Sequence, residues 1–179
     1  KVLYVDGSKK ILEHGVLVME YLPGHAMDYH TELMLAAPCL ADIHSVPIPE
    51  SEEILIHPQN PLKAILEECE EMFKVYLESP LGDGEKKIYI RELLDLGWKR
   101  EAEIQLESGY QCCINTELNS TNLLINGEGK SNYLIDWEKP LFGNPAQDLG
   151  HFLAPTTTFW KTDVILTSEE MEKFIAEYI

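Results

Sequence analysis

The chain has 179 residues, 45% of them apolar, which fits one domain, or one domain with part of a second, and excludes wholesale disorder. Its 14 basic and 31 acidic residues leave a formal charge of −17, a field that repels nucleic-acid backbones and anionic membranes and favours cationic partners or metal ions. There is no 18-residue apolar run, no signal-peptide pattern, no C-x-x-C among the four cysteines and no zinc-like Cys/His spacing, so a cytoplasmic, reduced protein is expected.

Residues 1–22 read as two strands, "KVLYV" and "ILEHGVLVMEYL", joined by the turn "DGSKK" and stopped by Pro23-Gly24. From Met27 to about Ser45 the period turns helical, with Leu33, Leu35, Ala36, Leu40 and Ile43 on the apolar face; Pro38 predicts two short helices or a kink. Residues 46–61 form a Pro-punctuated loop. An amphipathic helix follows, with Leu62, Ile65, Leu66, Cys69, Met72, Phe73 and Tyr76 on one stripe and glutamates opposite, which also read as a solvated face. A further helix is expected from Ile88 to about Glu107, weakened by Gly97. Then the pattern shortens to strand-like runs, "YQCCI", "NLLIN" and "NYLID", the last two joined by a turn beginning at Asn126-Gly127; Cys112 and Cys113 read as buried thiols. The tail "TSEEMEKFIAEYI" predicts a helix capped by Thr167 or Ser168, with Met171, Phe174, Ile175 and Tyr178 apolar.

The stretch "INTELNSTNLLINGEGKSNYLIDWEKP", 114–140, carries the chemistry. Chain reversal over 126–130 brings together Asn122, just before one strand, and Asp136, at the end of the next. Both offer hard oxygen acceptors of the kind Mg²⁺ takes alongside substrate phosphates. Glu117, in the same polar loop, adds a carboxylate able to orient a hydroxyl and receive its proton. Asn and Asp also stand at loop ends simply to bond nearby backbone, and spacing alone does not choose between the two readings.

The motif "INTELNSTNLLIN…YLIDWE" resembles the catalytic segment of the aminoglycoside phosphotransferase and choline kinase group, whose fold is protein-kinase-like. Leu118, Asn122, Ile135, Asp136 and Trp137 fit that pattern, and "GNPAQDLGHFL" resembles the following signature through Gly143, Pro145, Asp148 and Leu149. "VLVMEYLPG" resembles the hinge between lobes, and "LADIHSVP" the helix end after it. The resemblance implies an α+β fold in which 1–22 are the last two strands of a truncated N-terminal lobe and 23–179 a mostly helical C-terminal lobe with a catalytic hairpin. It further implies ATP and Mg²⁺ as cofactors, with Asn122 and Asp136 as metal ligands and the hinge around Glu20, Tyr21 and Leu22, lined by Met19, at the adenine. Asp148 would brace the catalytic loop, as would Asn115; Asp148 also reads as a helix cap. Trp137, His44 and His151 read as structural.

The chain departs from the family pattern where Asn115-Thr116-Glu117 stands for His-Gly-Asp. The glutamate keeps charge and acceptor but lengthens the side chain by a methylene, about 1 Å. Glu117 remains the expected catalytic carboxylate. The phosphate-covering loop and strand lysine of the family would precede the hinge, so the chain is expected to be a fragment truncated at both ends. The function expected is transfer of the ATP γ-phosphate to a hydroxyl of a small molecule. The acidic balance points to a cationic acceptor, such as an amino sugar or amino alcohol, with no nucleic-acid or membrane partner. Sugars, amines and amino acids stay open as acceptors, and oligomeric state is not legible. The altered triplet also suits a catalytically degenerate kinase-like module that binds nucleotide or a partner without turnover.

Overall fold

The computed structural model describes residues 1–50, 54–104 and 110–179. In chain order its elements begin with β1 (Val2–Asp6), β2 (Val16–Met19), β3 (His25–Ala26), α1 (Leu33–His44), α2 (Pro61–Glu78) and α3 (Gly84–Glu103). They continue with β4 (Cys112–Ile114), a 3₁₀ turn (Ser120–Asn122), β5 (Leu123–Ile125), β6 (Tyr133–Leu134), β7 (Leu141–Gly143), α4 (Ala146–Leu153), α5 (Pro155–Lys161) and α6 (Ser168–Tyr178). These group into two compact units. One comprises Lys1–Ile43, Leu118–Asp136 and His151–Ile179; the other comprises His44–Glu117 and Trp137–Gly150. No described helix is long and apolar enough to cross a membrane.

In the first unit β1 and β2 form an antiparallel ribbon, with Val2 opposite Met19 and Asp6 opposite Val16. The second strand is shorter than the apolar run that predicted it, because a strand persists only where a partner lies across from it; Ile11 and Leu12 have none and are exposed. Strands β3, β5 and β6 make a three-stranded antiparallel sheet with β5 in the middle. The expected helix over 27–32 is instead a turn. Asp28 accepts the N–H of His30 at 2.9 Å, and such local side-chain bonds compete with helix. Helix α1 then runs unbroken through Pro38, correcting the expectation of two helices. Its face of Leu33, Ala36, Ala37 and Leu40 is almost wholly buried, and that burial outweighs the roughly 3 kcal/mol a mid-helix proline costs. Tyr29, Phe152 and Phe174 pack in series with tilted rings, at centroid distances of 5.2 and 5.5 Å, and the Tyr29 hydroxyl donates to the Phe152 carbonyl. Thr167, one of the two expected caps, caps α6, and it does so in a reciprocal box with Glu170.

In the second unit α2 packs along α3. Of the expected stripe Phe73 is buried, whereas Met72 points to solvent, 67% exposed. The α3 helix starts four residues earlier than its apolar period indicates, because Asp83 caps it by accepting the N–H of Lys86 at 2.9 Å. Gly97, expected to weaken this helix, lets the two helices approach: a Cβ there would lie 2.7 Å from Leu66 Cδ2. Residues 105–107 of the expected helix, and 51–53 of the expected loop, lie outside the described residues. Arg91 grips Glu70 through both terminal nitrogens, and Trp98 Nε1 donates to the same carboxylate at 3.0 Å. Strand β4 pairs antiparallel with β7, a strand the sequence did not announce, with Cys112 opposite Gly143 and Ile114 opposite Leu141. Cys112 is buried, and burial, followed by the nearby Asp148 carboxylate, pushes its thiol up to about 12, so it packs as a neutral group. Cys113 is only half-buried.

Candidate active site

The first unit holds the β5–β6 hairpin. Gly127 (φ 108°) and Gly129 (φ 68°) take left-handed conformations in its turn, where glycine carries no Cβ penalty. Asn126 ties the turn down: its N–H donates to Asn132 Oδ1 at 2.9 Å and its amide to the Ser131 carbonyl at 2.8 Å. At the open end Leu123 faces Leu134, and the ladder continues one step beyond the strands. There the Ile135 N–H donates to the Asn122 carbonyl at 2.8 Å. Asn122 therefore sits across from the residue preceding Asp136. Asn122 is buried in the 3₁₀ turn, whose start is capped by the Asn119 side chain accepting from Thr121. Asp136 lies two residues past β6, not at its last position, and is exposed. Its φ of 62° places a non-glycine residue in the left-handed region, a conformation that stores about 1–3 kcal/mol and clusters at functional sites. Asp tolerates it better than most residues.

The second unit holds the loop after β4. Asp148, fully buried in the first turn of α4, does not cap its own helix; Asn144 Oδ1 does that, accepting from the Ala146 N–H at 2.9 Å. The Asp148 carboxylate instead takes the N–H of Asn115 on Oδ2 and that of Thr116 on Oδ1, both at 2.8 Å. His44 Nε2 lies 3.2 Å from the same Oδ2, and the backbone carbonyl of His44 accepts from the Tyr110 hydroxyl. Buried Asn115 closes the turn by accepting the Glu117 N–H at 3.3 Å. Thr116 is left-handed, φ 71°, which for a β-branched residue is a strained exception that the Asp148 bonds hold in place. Glu117 follows it, exposed, with Lys139 Nζ 3.8 Å from Oε1.

Of the hinge residues, Met19 ends β2 opposite Val2, and the Glu20 N–H extends that ladder to the Lys1 carbonyl at 2.8 Å. Met19 is 57% and Tyr21 85% exposed, so neither is a core residue; Leu22 is half-buried. Trp137 is 38% exposed and His151 lies on the surface, whereas His44 is buried. The structure thus brings Asn122 next to the Ile135–Asp136 step within one unit, and Asn115 next to Asp148 within the other. Sequence reading left out Thr116, Tyr110 and Lys139. The positive φ of Thr116 and the pairing of β4 with β7 have no mark in composition or periodicity.

The mixed α+β architecture, with its helices, small sheets and hairpin, is a protein-kinase-like fold. It superposes on a Plasmodium vivax ethanolamine kinase with a TM-score of 0.68 at 18% identity, covering 99% of this chain and 52% of that one. It also superposes on a spectinomycin phosphotransferase, solved in complex with ADP and spectinomycin, with a TM-score of 0.61 at 18% identity, covering 90% of this chain and 51% of that one. The chain spans about half the length of these two proteins. No curated protein sequence matches it. The chain belongs to the phosphotransferase enzyme family (APH), whose sequence profile matches residues 1–177.

Proposed function

We propose that the protein transfers the γ-phosphoryl group of ATP to a hydroxyl of a small molecule, with Mg²⁺ as the metal. The observation that supports this reading is the end of the β5–β6 hairpin, where the Ile135 N–H to Asn122 backbone carbonyl bond sets Asn122 across from the step into Asp136. An amide oxygen and a carboxylate are hard donors, and Mg²⁺ typically takes one or two protein ligands and completes its shell with water and phosphate oxygens. Among the described residues no group of three or more His, Cys, Asp or Glu could hold a metal. This donor set therefore fits a metal shared with nucleotide better than one held by protein alone. When bound, the ion would neutralise charge on the phosphates during transfer. Asn122 and Asp136 would hold it; Met19 and the Glu20–Leu22 backbone would flank the adenine. Glu117 would orient the acceptor hydroxyl and receive its proton on a carboxylate oxygen. Asn115 and Asp148 keep the backbone beneath Glu117 rigid, which positional catalysis requires. The division into a two-strand segment, 1–22, and a helical lobe, 23–179, belongs to the same proposal.

The acidic excess supports a cationic acceptor. An amino alcohol or amino sugar agrees with the names of the two similar structures, an ethanolamine kinase and a spectinomycin phosphotransferase. The Asn115-Thr116-Glu117 triplet, which departs from the family pattern, favours a second reading, a kinase-like module that binds nucleotide without turnover. One assay separates the two: calorimetric titration of the full protein with Mg²⁺-ATP, alongside ATP consumption with a panel of amino alcohols and amino sugars. Turnover that disappears in Asn122→Ala and Asp136→Ala supports the transferase. Tight nucleotide binding without turnover, unchanged in Glu117→Asp, supports the binder.

A further inference from the structure

We propose that His44 is a positioning residue that acts through Asp148 on the loop carrying Glu117, an inference that rests on the reading of Glu117 as the carboxylate that orients the acceptor. All of these residues lie in the second unit. The loop's shape depends on where the Asp148 carboxylate points. Its Oδ2 takes the Asn115 N–H and its Oδ1 the Thr116 N–H, both at 2.8 Å. Thr116 is thereby held at φ 71°, a conformation that a β-branched residue keeps only under outside constraint. An aspartate carboxylate turns easily, because its last torsion has a broad, roughly two-fold preference. The two N–H groups cannot set that torsion independently, since they belong to the loop being held.

His44 Nε2 lies 3.2 Å from Oδ2 and, among the described residues, is the one hydrogen-bonding contact on this carboxylate that comes from outside the loop. An ionised carboxylate only accepts, so Nε2 carries a hydrogen. The imidazole is itself well anchored. His44 is the last residue of α1, is buried, and its carbonyl accepts from the Tyr110 hydroxyl. From Asp148 the constraint passes along the backbone to Glu117, whose N–H donates to Asn115 Oδ1 at 3.3 Å. What His44 sets is the backbone position from which the Glu117 side chain departs, and a misplacement of about 1 Å at a reacting group can cost about 100-fold in rate.

The test reads turnover and loop protection together on the full protein. It compares the parent with His44→Leu, which keeps bulk and removes the donor, and with His44→Gln, whose amide can donate from near the place of Nε2. In steady-state Mg²⁺-ATP hydrolysis, with water as acceptor, His44→Leu should lower kcat about tenfold while KM for Mg²⁺-ATP stays within about twofold. His44→Gln should recover most of the loss. In amide hydrogen exchange, the Asn115 and Thr116 N–H groups of His44→Leu should exchange about tenfold faster than the parent's, with the amides of α6 unchanged. A folded His44→Leu with either the parent's kcat or the parent's exchange at these two amides overturns the assignment. So does a loss confined to KM, or faster exchange spread evenly over the helices. If His44→Leu folds poorly, nitrogen NMR of the parent decides: Nε2 of His44 should carry a proton at neutral pH, and Nε2 found bare contradicts the brace. Hydrolysis abolished by Glu117→Gln but insensitive to His44→Leu removes this inference alone. Hydrolysis that is absent in the parent, or indifferent to Glu117→Gln, removes the reading beneath it as well.

Discussion

Replacing Asp148 should damage the molecule well beyond the loss of one surface charge. Its carboxylate is wholly buried and accepts the N–H groups of Asn115 and Thr116, both at 2.8 Å, with His44 Nε2 at 3.2 Å. In Asp148→Ala two backbone donors lose their acceptor, and each buried donor left unsatisfied costs about 1–3 kcal/mol. His44, 1% exposed, loses this contact as well. Relief from desolvating a carboxylate offsets part of this, so a net loss of about 3–5 kcal/mol is expected. That is a large share of the 5–15 kcal/mol typical of a domain. Asp148→Asn separates bonding from packing, since it keeps the volume and one carbonyl acceptor but turns an NH₂ toward the second donor; it should cost about 1–3 kcal/mol. Urea unfolding of both variants, with an unchanged m-value, measures the two losses directly. If both unfold within about 0.5 kcal/mol of the parent, the three bonds do not hold this loop.

The Arg91 and Trp98 bonds hold the Glu70 carboxyl down at about 2, against an ordinary 4.5, Arg91 contributing most. A depressed carboxyl adds stability that is complete above its ordinary value and fades as pH falls from 4.5 toward 2. Melting temperatures of the parent and Glu70→Gln should therefore differ most near neutral pH and converge as pH falls from 4.5 toward 2; a gap that widens in acid would contradict the pairing. Glycine-to-alanine changes should act with opposite signs at two positions. At Gly143 a Cβ would lie 2.6 Å from Cδ1 of fully buried Ile114, so alanine should cost about 1–3 kcal/mol. At Gly150, inside α4 and facing open space, alanine should add about 0.5–1 kcal/mol in the same denaturation assay.

The long elements were legible because their signals are local. Thr167 stands where a cap of α6 is expected, and the Asn126-Gly127 turn sits between two apolar runs. What escaped depends on distant partners. Strand β7 exists because β4 lies beside it, and β2 starts only at Val16, opposite the last residue of β1. Pro38 stays helical because the face of α1 is buried, a condition no window of sequence contains. The site shows the same split. Asn122, Asp136 and Asp148 stand in recognisable motifs, whereas Thr116 is held in a left-handed backbone conformation that only the fold creates.

The most direct measurement is metal binding at the hairpin mouth. Mn²⁺ can stand in for Mg²⁺, and its paramagnetic resonance signal reports bound against free ion in the presence of ATP. The full protein should retain Mn²⁺-ATP, and Asn122→Ala and Asp136→Ala should each weaken retention about tenfold or more while circular dichroism shows the fold intact. Variants that hold Mn²⁺-ATP as tightly as the parent would show that this amide and this carboxylate do not carry the metal.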